Sequence, residues 1–213
     1  KWVTDITEFK VAGKKLYLVL PYIVRDRYFE RRADVLSILQ DRFVNGVVIA
    51  NFESLFYLQH ISFKKEIIAD FHLYTLNTEA RELLLHAGVT KTTVPVELNK
   101  KELLRRAATG EELILYGRLP MMISAQCIIN TVHGCSHEVM HTEITDRYGV
   151  CFPCRNECSE CYNIIWNSVP LSLHGELKII DSLQASSVRL QFTAETGAQT
   201  AAVLAFYQEI LTT

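Results

Sequence analysis

The sequence lacks any apolar run long enough to cross a lipid bilayer. Its apolar runs, such as 113–116 and 164–166, fall far short of the ~20 residues that a membrane-spanning helix needs. We find no signal-peptide pattern, and we expect no membrane partner. The chain opens at Lys1 without an initiator Met, so we expect it to be a fragment of a longer protein.

An excess of charge of one sign is also missing. The 22 Lys and Arg residues nearly balance the 24 Asp and Glu residues, which gives a net charge of −2. Because binding to a nucleic-acid backbone by charge alone needs a clear positive excess, that class of protein is not expected. The hydrophobic share of 49% and the charged share of 22% are typical of a globular domain.

Cysteine is absent from the chain except between residues 127 and 161. The six cysteines are Cys127, Cys135, Cys151, Cys154, Cys158 and Cys161. A disulfide-stapled secreted domain usually spreads its cysteines and is smaller. Cysteines clustered in one segment of a mid-sized chain instead indicate a metal or redox site in a reducing compartment, so we expect a cytoplasmic protein.

The first 117 residues alternate between buried strands and helices. We predict strands at 15–24, 44–51, 66–70, 92–96 and 112–116. We predict helices at 28–39, 53–60, 78–87 and 100–108. Thr78 and Asn99 are candidate N-caps, and Gly88 suits the left-handed position after a helix. This alternation predicts parallel βα units and an α/β fold.

Polar residues follow the carboxyl ends of these predicted strands. They are Arg25, Asp26, Asn51, Glu53, Asp70, His72, Glu97 and Arg118. In barrels and open α/β sheets this edge of the sheet carries the ligand site. The pattern alone does not separate that interpretation from a simpler one, in which strands end where solvent begins.

After Gly117 the βα pattern stops, and residues 118–134 show no helical period. A hairpin is predicted at 145–154, with its turn near Tyr148 and Gly149. The remaining predicted elements are a strand at 186–192 and a closing helix at 200–211. The predicted organisation is parallel βα units in 1–117, a Cys-rich metal-binding segment with a hairpin in 118–170, and a closing strand and helix in 171–213.

The spacing of the cysteines favours one four-thiolate site but leaves its membership open. Cys158 and Cys161 form a C-x-x-C pair, and Cys151 and Cys154 form another. The two pairs lie too close together for a zinc ribbon, so one pair would join Cys127 and Cys135 around a zinc ion or an iron–sulfur cluster. A thioredoxin-like redox pair is an alternative, although the expected βαβ start is missing.

Four segments carry a resemblance to a known family. They read ELILYGRLPMMISAQC at 112–127, DRYGVCFP at 146–153, CSECYNIIWNSVP at 158–170 and VRLQFTAE at 188–195. Together they resemble the C-terminal part of the collagenase-like peptidase family, numbered U32. The resemblance covers roughly residues 14–212 and is specific in 112–170.

The resemblance implies a barrel of βα units that carries a [4Fe–4S] cluster. The family's opening strands do not match, so we expect a partial or divergent barrel with a Cys-rich hairpin insertion near the C-terminus. The cysteines that match the family's ligands are Cys127, Cys135, Cys158 and Cys161, with Zn²⁺ as the substitute in aerobically prepared protein. Cys151 and Cys154 fall where the family does not call for cysteine and are left outside the site.

The same resemblance supplies candidates for substrate contact. Arg118, Asp146, Arg147, Asn163 and Asn167 match polar positions of the family's motifs, where a structural role is an equal alternative. We also expect Asp146 and Arg147 to open a hairpin that covers the metal site. The strand-end carboxylates Asp70 and Glu97 complete the set of substrate candidates.

Family membership implies an enzyme, although the peptidase name has little support in the residues. No H-E-x-x-H motif is present, and no Ser, His and Asp order stands out. Other members of the family hydroxylate a pyrimidine base in RNA, and a related branch serves quinone-ring hydroxylation. The favoured hypothesis is therefore cluster-dependent hydroxylation of an RNA base, with the remainder of a longer protein and RNA as partners. The alternatives are a protease and a non-catalytic, metal-stabilised docking module.

Overall fold

The computed structural model describes residues 13–25, 27–106 and 108–212. The chain divides into two compact units. The first comprises Lys1–Glu112 with Leu183–Ser186, and the second comprises Leu113–Ser182 with Ser187–Thr213. Within the described residues, no helix combines the length and the apolar character needed to cross a membrane.

The first unit is built on a parallel sheet with helices between its strands. Its strands are β1 (Leu16–Val19), β2 (Val44–Ile49), β3 (Glu66–Ala69) and β4 (Lys91–Thr92). Its helices are α1 (Tyr28–Arg31), α2 (Ala33–Gln40), α3 (Phe52–His60), α4 (Thr78–His86) and α5 (Lys100–Arg106), with a 3₁₀ turn at Phe71–Leu73. The strands pair in the order β1-β2-β3-β4, and all three pairings are parallel. The prediction of parallel βα units is confirmed for this sheet.

Burial on both faces explains the near-continuous apolar strands. Val47 and Ile49 on one face of β2 are fully buried, and Val48 on the other face is buried as well. Leu39 of α2 and Leu58 of α3 belong to the same core cluster as Val47 and Ile49. Gly46 is required where β2 lies against β1 and β3, because a Cβ there would stand 2.4 Å from the carbonyl oxygen of Glu66. The sheet therefore tolerates no side chain at that position.

Three details of the first unit differ from the sequence prediction. The helix predicted at 28–39 is broken at Arg32, whose φ of −114° and ψ of 60° are not helical. The N-cap of α4 is Asn77 and not Thr78, since the Asn77 Oδ1 accepts the Ala80 N–H at 2.8 Å. The strand predicted at 15–24 is shorter, and Asp26 lies outside the described residues. Gly88 has the expected left-handed φ of 95°.

Asn99 was predicted to cap the helix at 100–108, and this is confirmed for α5. Its Oδ1 accepts the N–H groups of Lys101 and Glu102 at 3.0 and 3.2 Å. In return the Glu102 carboxylate accepts the N–H of Asn99 at 2.8 Å. This reciprocal pair is a capping box, in which two backbone donors at the helix start are satisfied.

The second unit is largely antiparallel. Its strands are β5 (Glu112–Gly117, which starts on the last residue of the first unit), β6 (Pro120–Ser124), β7 (His141–Thr145), β8 (Cys151–Glu157), β9 (Tyr162–Trp166), β10 (Leu171–Ser172) and β11 (Ser187–Gln191). Its helices are α6 (Ile128–His133), α7 (Leu177–Ser182) and α8 (Gly197–Thr212), with a 3₁₀ turn at His174–Glu176. Two sheets result, in the orders β10-β5-β11 and β6-β9-β8-β7.

The predicted hairpin is confirmed and longer than expected. β7 and β8 pair antiparallel from His141 opposite Arg155 to Thr145 opposite Cys151. The sequence pattern missed β6 and the short helix α6, which both fall in 118–134, where we found no helical period. α6 is too short to show an amphipathic repeat, which explains the omission. The mixed α/β class is confirmed, and the barrel stays a prediction.

Candidate metal centre

Four of the six cysteines line one cavity in the second unit. Cys127, Cys135, Cys158 and Cys161 surround a space of about 300 Å³, which we call the cysteine cavity. They are the four that the family resemblance implies as ligands. His137 and Tyr162 also line the cavity. Within the described ranges, no group of three or more His, Cys, Asp and Glu side chains is placed to hold a single metal ion.

Cys127 and Cys135 reach the cavity from the two ends of α6. Cys127 is the N-cap of the helix, and its Sγ accepts the N–H of Asn130 at 3.4 Å. Cys135 follows Gly134, which ends the helix with a left-handed φ of 83°. Glycine takes this conformation without steric cost, so the chain can turn sharply and place Cys135 beside the same cavity.

Cys158 and Cys161 occupy the turn between two paired strands. Cys158 directly follows β8 and Cys161 directly precedes β9, and the two strands pair from Glu157 opposite Tyr162 onwards. Cys161 has a left-handed φ of 50°, which is uncommon for a residue with a side chain. The tight turn brings both sulfurs to the same cavity.

The other three cysteines act electrostatically on the Cys158 thiol. The pKa of the Cys158 thiol is raised, first because burial disfavours the thiolate, and then because Cys135, Cys127 and Cys161 lie near enough to add negative charge. An N–H group of Asn156 acts in the opposite direction and lowers the pKa. A bound cation would reverse the balance, since it stabilises coordinating thiolates.

Two buried asparagines hold the segments that carry these cysteines. Asn156 is 3% exposed, and its amide contacts the backbone of Glu138 and Met140 and the sulfur of Cys158. Asn163 is 1% exposed, donates to the carbonyl of Gln126 and accepts the N–H of Ile128 at 3.4 Å. Asn163 was one of our substrate candidates, and here it fixes the loop that leads to Cys127.

Asn156 is a residue that the sequence reasoning missed. It lies two residues before Cys158, in a strand where burial alternates with partial exposure. An amide at a buried position beside a C-x-x-C is a signal that could have been used, because buried amides need hydrogen-bond partners.

The other two cysteines lie outside the cavity. Cys154 is 1% exposed and stands opposite Thr142 and Ile165 in the sheet, and burial raises the pKa of its thiol. Cys151 is exposed and lies 3.5 Å from the Thr145 hydroxyl. Residues three apart in a strand point to opposite faces, so this C-x-x-C does not converge.

The predicted substrate candidates Arg118 and Asn167 make structural contacts. Arg118 donates to the carbonyls of Asn167 and Ser168 at 2.8 and 2.5 Å, and its Nε lies 3.6 Å from the Glu195 carboxylate. The Asn167 Oδ1 accepts the N–H of Leu119 at 3.0 Å. Together these bonds fix the turn after β9.

Asp146 and Arg147 lie in the turn between β7 and β8. The Asp146 carboxylate accepts the N–H groups of Tyr148 and Val150 at 2.8 and 3.0 Å, which shapes the turn. Arg147 lies over the Tyr148 ring, 4.7 Å from its centre. The turn is at the end of β8 opposite Cys158, roughly 20 Å away at the rise of a strand. The expectation that the hairpin tip covers the metal site is therefore wrong.

The carboxylate candidates of the first unit differ in their surroundings. Asp70 is buried at the carboxyl end of β3, and its Oδ2 lies 2.7 Å from His72 Nδ1. The His72 ring lies against Tyr22 and Phe71, and its Nε2 is buried without a hydrogen-bond partner among the described residues. Glu97 is exposed in the turn before α5.

Of three comparisons with known proteins, one finds a match. The comparison with curated proteins found no match, and neither did the comparison with solved structures. The description Peptidase family U32 matches residues 4–208, which is essentially the whole chain. The chain therefore belongs to peptidase family U32.

Proposed function

We propose that the cysteine cavity binds a [4Fe–4S] cluster through Cys127, Cys135, Cys158 and Cys161. The observation that carries the proposal is that these four cysteines, from three separate turns, line one cavity. Four thiolates are the usual ligand set of such a cluster. The raised pKa of the Cys158 thiol fits this view, because the crowded thiols gain stability when a cation neutralises them.

The cysteine cavity has room for a cluster of several metal and sulfide atoms. Four thiolates close around zinc at ~2.3 Å and leave no space between them. The cysteine cavity measures about 300 Å³, whereas a water molecule occupies roughly 30 Å³ of the liquid. A group of several metal and sulfide atoms would fill more of this space than a single zinc ion. Zn²⁺ stays the expected substitute after aerobic preparation.

The cluster, when bound, would supply one-electron transfer. The residues of the chain have separate tasks around it. The four cysteines hold it, Asn163 fixes the approach to Cys127, and Asn156 fixes the position of Cys158. Cys151 and Cys154 take no part.

The activity that we propose is cluster-dependent hydroxylation of a pyrimidine base in RNA, or of a similar ring. Family membership supports it, since other members that the chain resembles carry out this reaction. The remainder of a longer protein and RNA are the proposed partners, and a cytoplasmic location would keep the cluster reduced. Asp70 stays a substrate candidate, and its Oδ2 lies 2.7 Å from His72 Nδ1.

Peptidase activity is the second candidate, and one contact favours it. The Ser172 hydroxyl lies 2.9 Å from His174 Nδ1, as in a serine nucleophile with its base. The same hydroxyl, however, lies 2.8 Å from the Tyr207 hydroxyl, which donates to the carbonyl of Leu115 at 3.0 Å. This chain of hydrogen bonds ties β10 to α8, which makes a structural role the better interpretation.

Anaerobic purification tests the cluster directly. Iron and sulfide analysis with an absorption spectrum should show a [4Fe–4S] cluster in the wild type. Cys158→Ser should abolish it, and the matched control Cys151→Ser should retain it. A cluster that survives Cys135→Ser but is lost in Cys151→Ser would overturn the assignment.

The reaction is tested in RNA from cells. Nucleoside mass spectrometry should show a hydroxylated pyrimidine that disappears when the gene is deleted. The wild-type gene should restore it, and the Cys158→Ser gene should not. Unchanged RNA, together with cleavage of a peptide library by the holoprotein, would favour the peptidase. A docking module would leave both assays negative and would lose only folding or association without the metal.

A further inference from the structure

The side-chain amide of Asn156 makes three hydrogen bonds in addition to the backbone pairing of its strand. Its Nδ2 lies 2.9 Å from the carbonyl oxygen of Glu138 and 3.1 Å from the Sγ of Cys158. Its Oδ1 accepts the backbone N–H of Met140 at 2.5 Å. The amide nitrogen therefore donates to two acceptors, and its oxygen accepts one hydrogen bond.

These partners fix the orientation of the amide. Met140 offers an N–H, which needs an oxygen opposite it, and Glu138 offers a carbonyl, which needs a nitrogen. Exchanging the amide oxygen and nitrogen would place donor against donor and acceptor against acceptor. The N–H that faces Cys158 is thus dictated by the backbone of residues 138–140.

The sulfur of Cys158 has a second contact that depends on its proton. As a thiol, Cys158 lies 2.9 Å from the Glu138 carbonyl and donates to it. A thiolate cannot donate, so this contact is lost when Cys158 becomes a ligand. The Asn156 N–H then becomes the polar contact that the sulfur keeps, and it strengthens because its acceptor carries charge.

Asn163 provides a natural comparison inside the same sheet. It stands directly opposite Asn156 in the β8–β9 register and is equally buried. Its amide contacts the backbone of Ser124, Gln126 and Ile128, and none of its hydrogen bonds in the described structure reaches a sulfur. Asn163 therefore only supports a loop that carries a cysteine, whereas Asn156 also contacts the sulfur of a proposed ligand. A comparison of the two residues distinguishes these roles.

We propose that Asn156 is a positioning residue that raises the reduction potential of the cluster by donating an N–H to the Cys158 sulfur. This inference rests on the proposed cluster. One-electron reduction adds negative charge that is shared by the cysteine sulfurs, so a hydrogen bond to sulfur stabilises the reduced form more than the oxidised form. Asn163 supports assembly of the site and leaves the potential unchanged.

The test is an anaerobic redox titration of the full chain with its cluster, with dithionite as the electron donor and the EPR signal of the reduced form as readout. Asn156→Leu, which keeps the branched shape and removes the N–H, should shift the redox equilibrium toward the oxidised form by about tenfold, or ~59 mV for one electron. Asn156→Ser should shift it in the same direction and guards against misfolding of the Leu variant.

Asn163→Leu is the matched control. It should bind less cluster per chain, and the cluster that it binds should have the wild-type potential. Equal potentials in all variants would overturn the inference, and so would equal shifts from Asn156→Leu and Asn163→Leu, since burial of an apolar group would then explain both. A wild-type chain without iron would overturn the proposed cluster itself, which makes the two failures distinguishable.

Discussion

The two units of the molecule are stabilised in different ways. The first has a parallel sheet with apolar residues on both faces and one continuous core cluster. The second has antiparallel sheets whose turns are held by side chains that bond to the backbone, such as Arg118, Asn156 and Asn163. Hydrophobic periodicity predicts the first kind of structure well and the second kind poorly.

The largest expected effect is an exception to this contrast, because it concerns a buried polar cluster in the otherwise apolar first unit. Glu111 is 1% exposed, and its carboxylate accepts two hydrogen bonds from Arg106 at 2.5 and 2.9 Å and one from Thr92 at 2.6 Å. Glu111→Gln removes the charge that compensates the buried guanidinium. We expect a loss of about 3–5 kcal/mol in the free energy of unfolding, measured by urea titration.

Glu30→Gln is the control for Glu111, since it removes an ion pair with Arg27 that is open to solvent. An exposed pair of this kind contributes no more than about 1 kcal/mol. Equal losses in the free energy of unfolding from the two substitutions would show that the Glu111 ion pair stabilises the fold no more than an exposed pair does.

Core packing of the first unit gives the next largest effect. Leu39 is fully buried between α2 and the sheet, so Leu39→Ala should leave a cavity and lower the free energy of unfolding by roughly 2–5 kcal/mol. Val19 is 66% exposed at the end of β1, and Val19→Ala should change it by less than about 0.5 kcal/mol. Similar losses at both positions would contradict the assignment of the core.

Arg118 tests whether polar side chains that hold turns stabilise the second unit. Arg118→Ala leaves the carbonyls of Asn167 and Ser168 without their side-chain donor and removes the cation that lies 3.6 Å from the buried carboxylate of Glu195. We expect a loss of about 1–3 kcal/mol. Unchanged stability with weaker substrate binding would instead favour the alternative in which Arg118 contacts substrate.

Local sequence signals predicted the elements of the fold that depend only on neighbouring residues. The alternation of strands and helices gave β2, α3, β3 and the capped helix α5, because period and caps are properties of neighbouring residues. The pattern missed the break at Arg32. It also missed the Asn77 cap, because Asn77 and Thr78 are neighbours and both are suitable N-cap residues. The membership of the cysteine cavity came from resemblance to the family, and spacing alone left it open.

The contacts within the site could not be predicted from the sequence. Asn156 and Asn163 become partners only through the β8–β9 register, and Asn156 meets residues 138–140 through a hairpin whose ends the pattern misplaced. The same error put Asp146 and Arg147 over the metal site. Register decides which polar groups meet, and a shift of one residue changes every pair.

The smallest expected effect is a pH dependence in the second unit. Burial raises the pKa of the Cys154 thiol in the folded chain. The folded state therefore holds this proton more tightly than the unfolded chain, whose thiol titrates near ~8.5. The stability that this contributes is fully present below that pH and is lost as the pH rises through the folded pKa.

Cys154→Val tests this sign, because valine fills a similar volume and does not titrate. Between pH 7 and pH 10, measured in cluster-free protein so that bound metal does not intervene, the unfolding free energy of the wild type should fall more steeply than that of the variant. Cys154 stands between Thr142 and Ile165 in the interior of the sheet, so its thiolate would have to form without water around it. Parallel pH profiles would mean that the sheet opens at Cys154 before the thiol ionises, and the second unit would then be looser around β8 than its buried residues indicate.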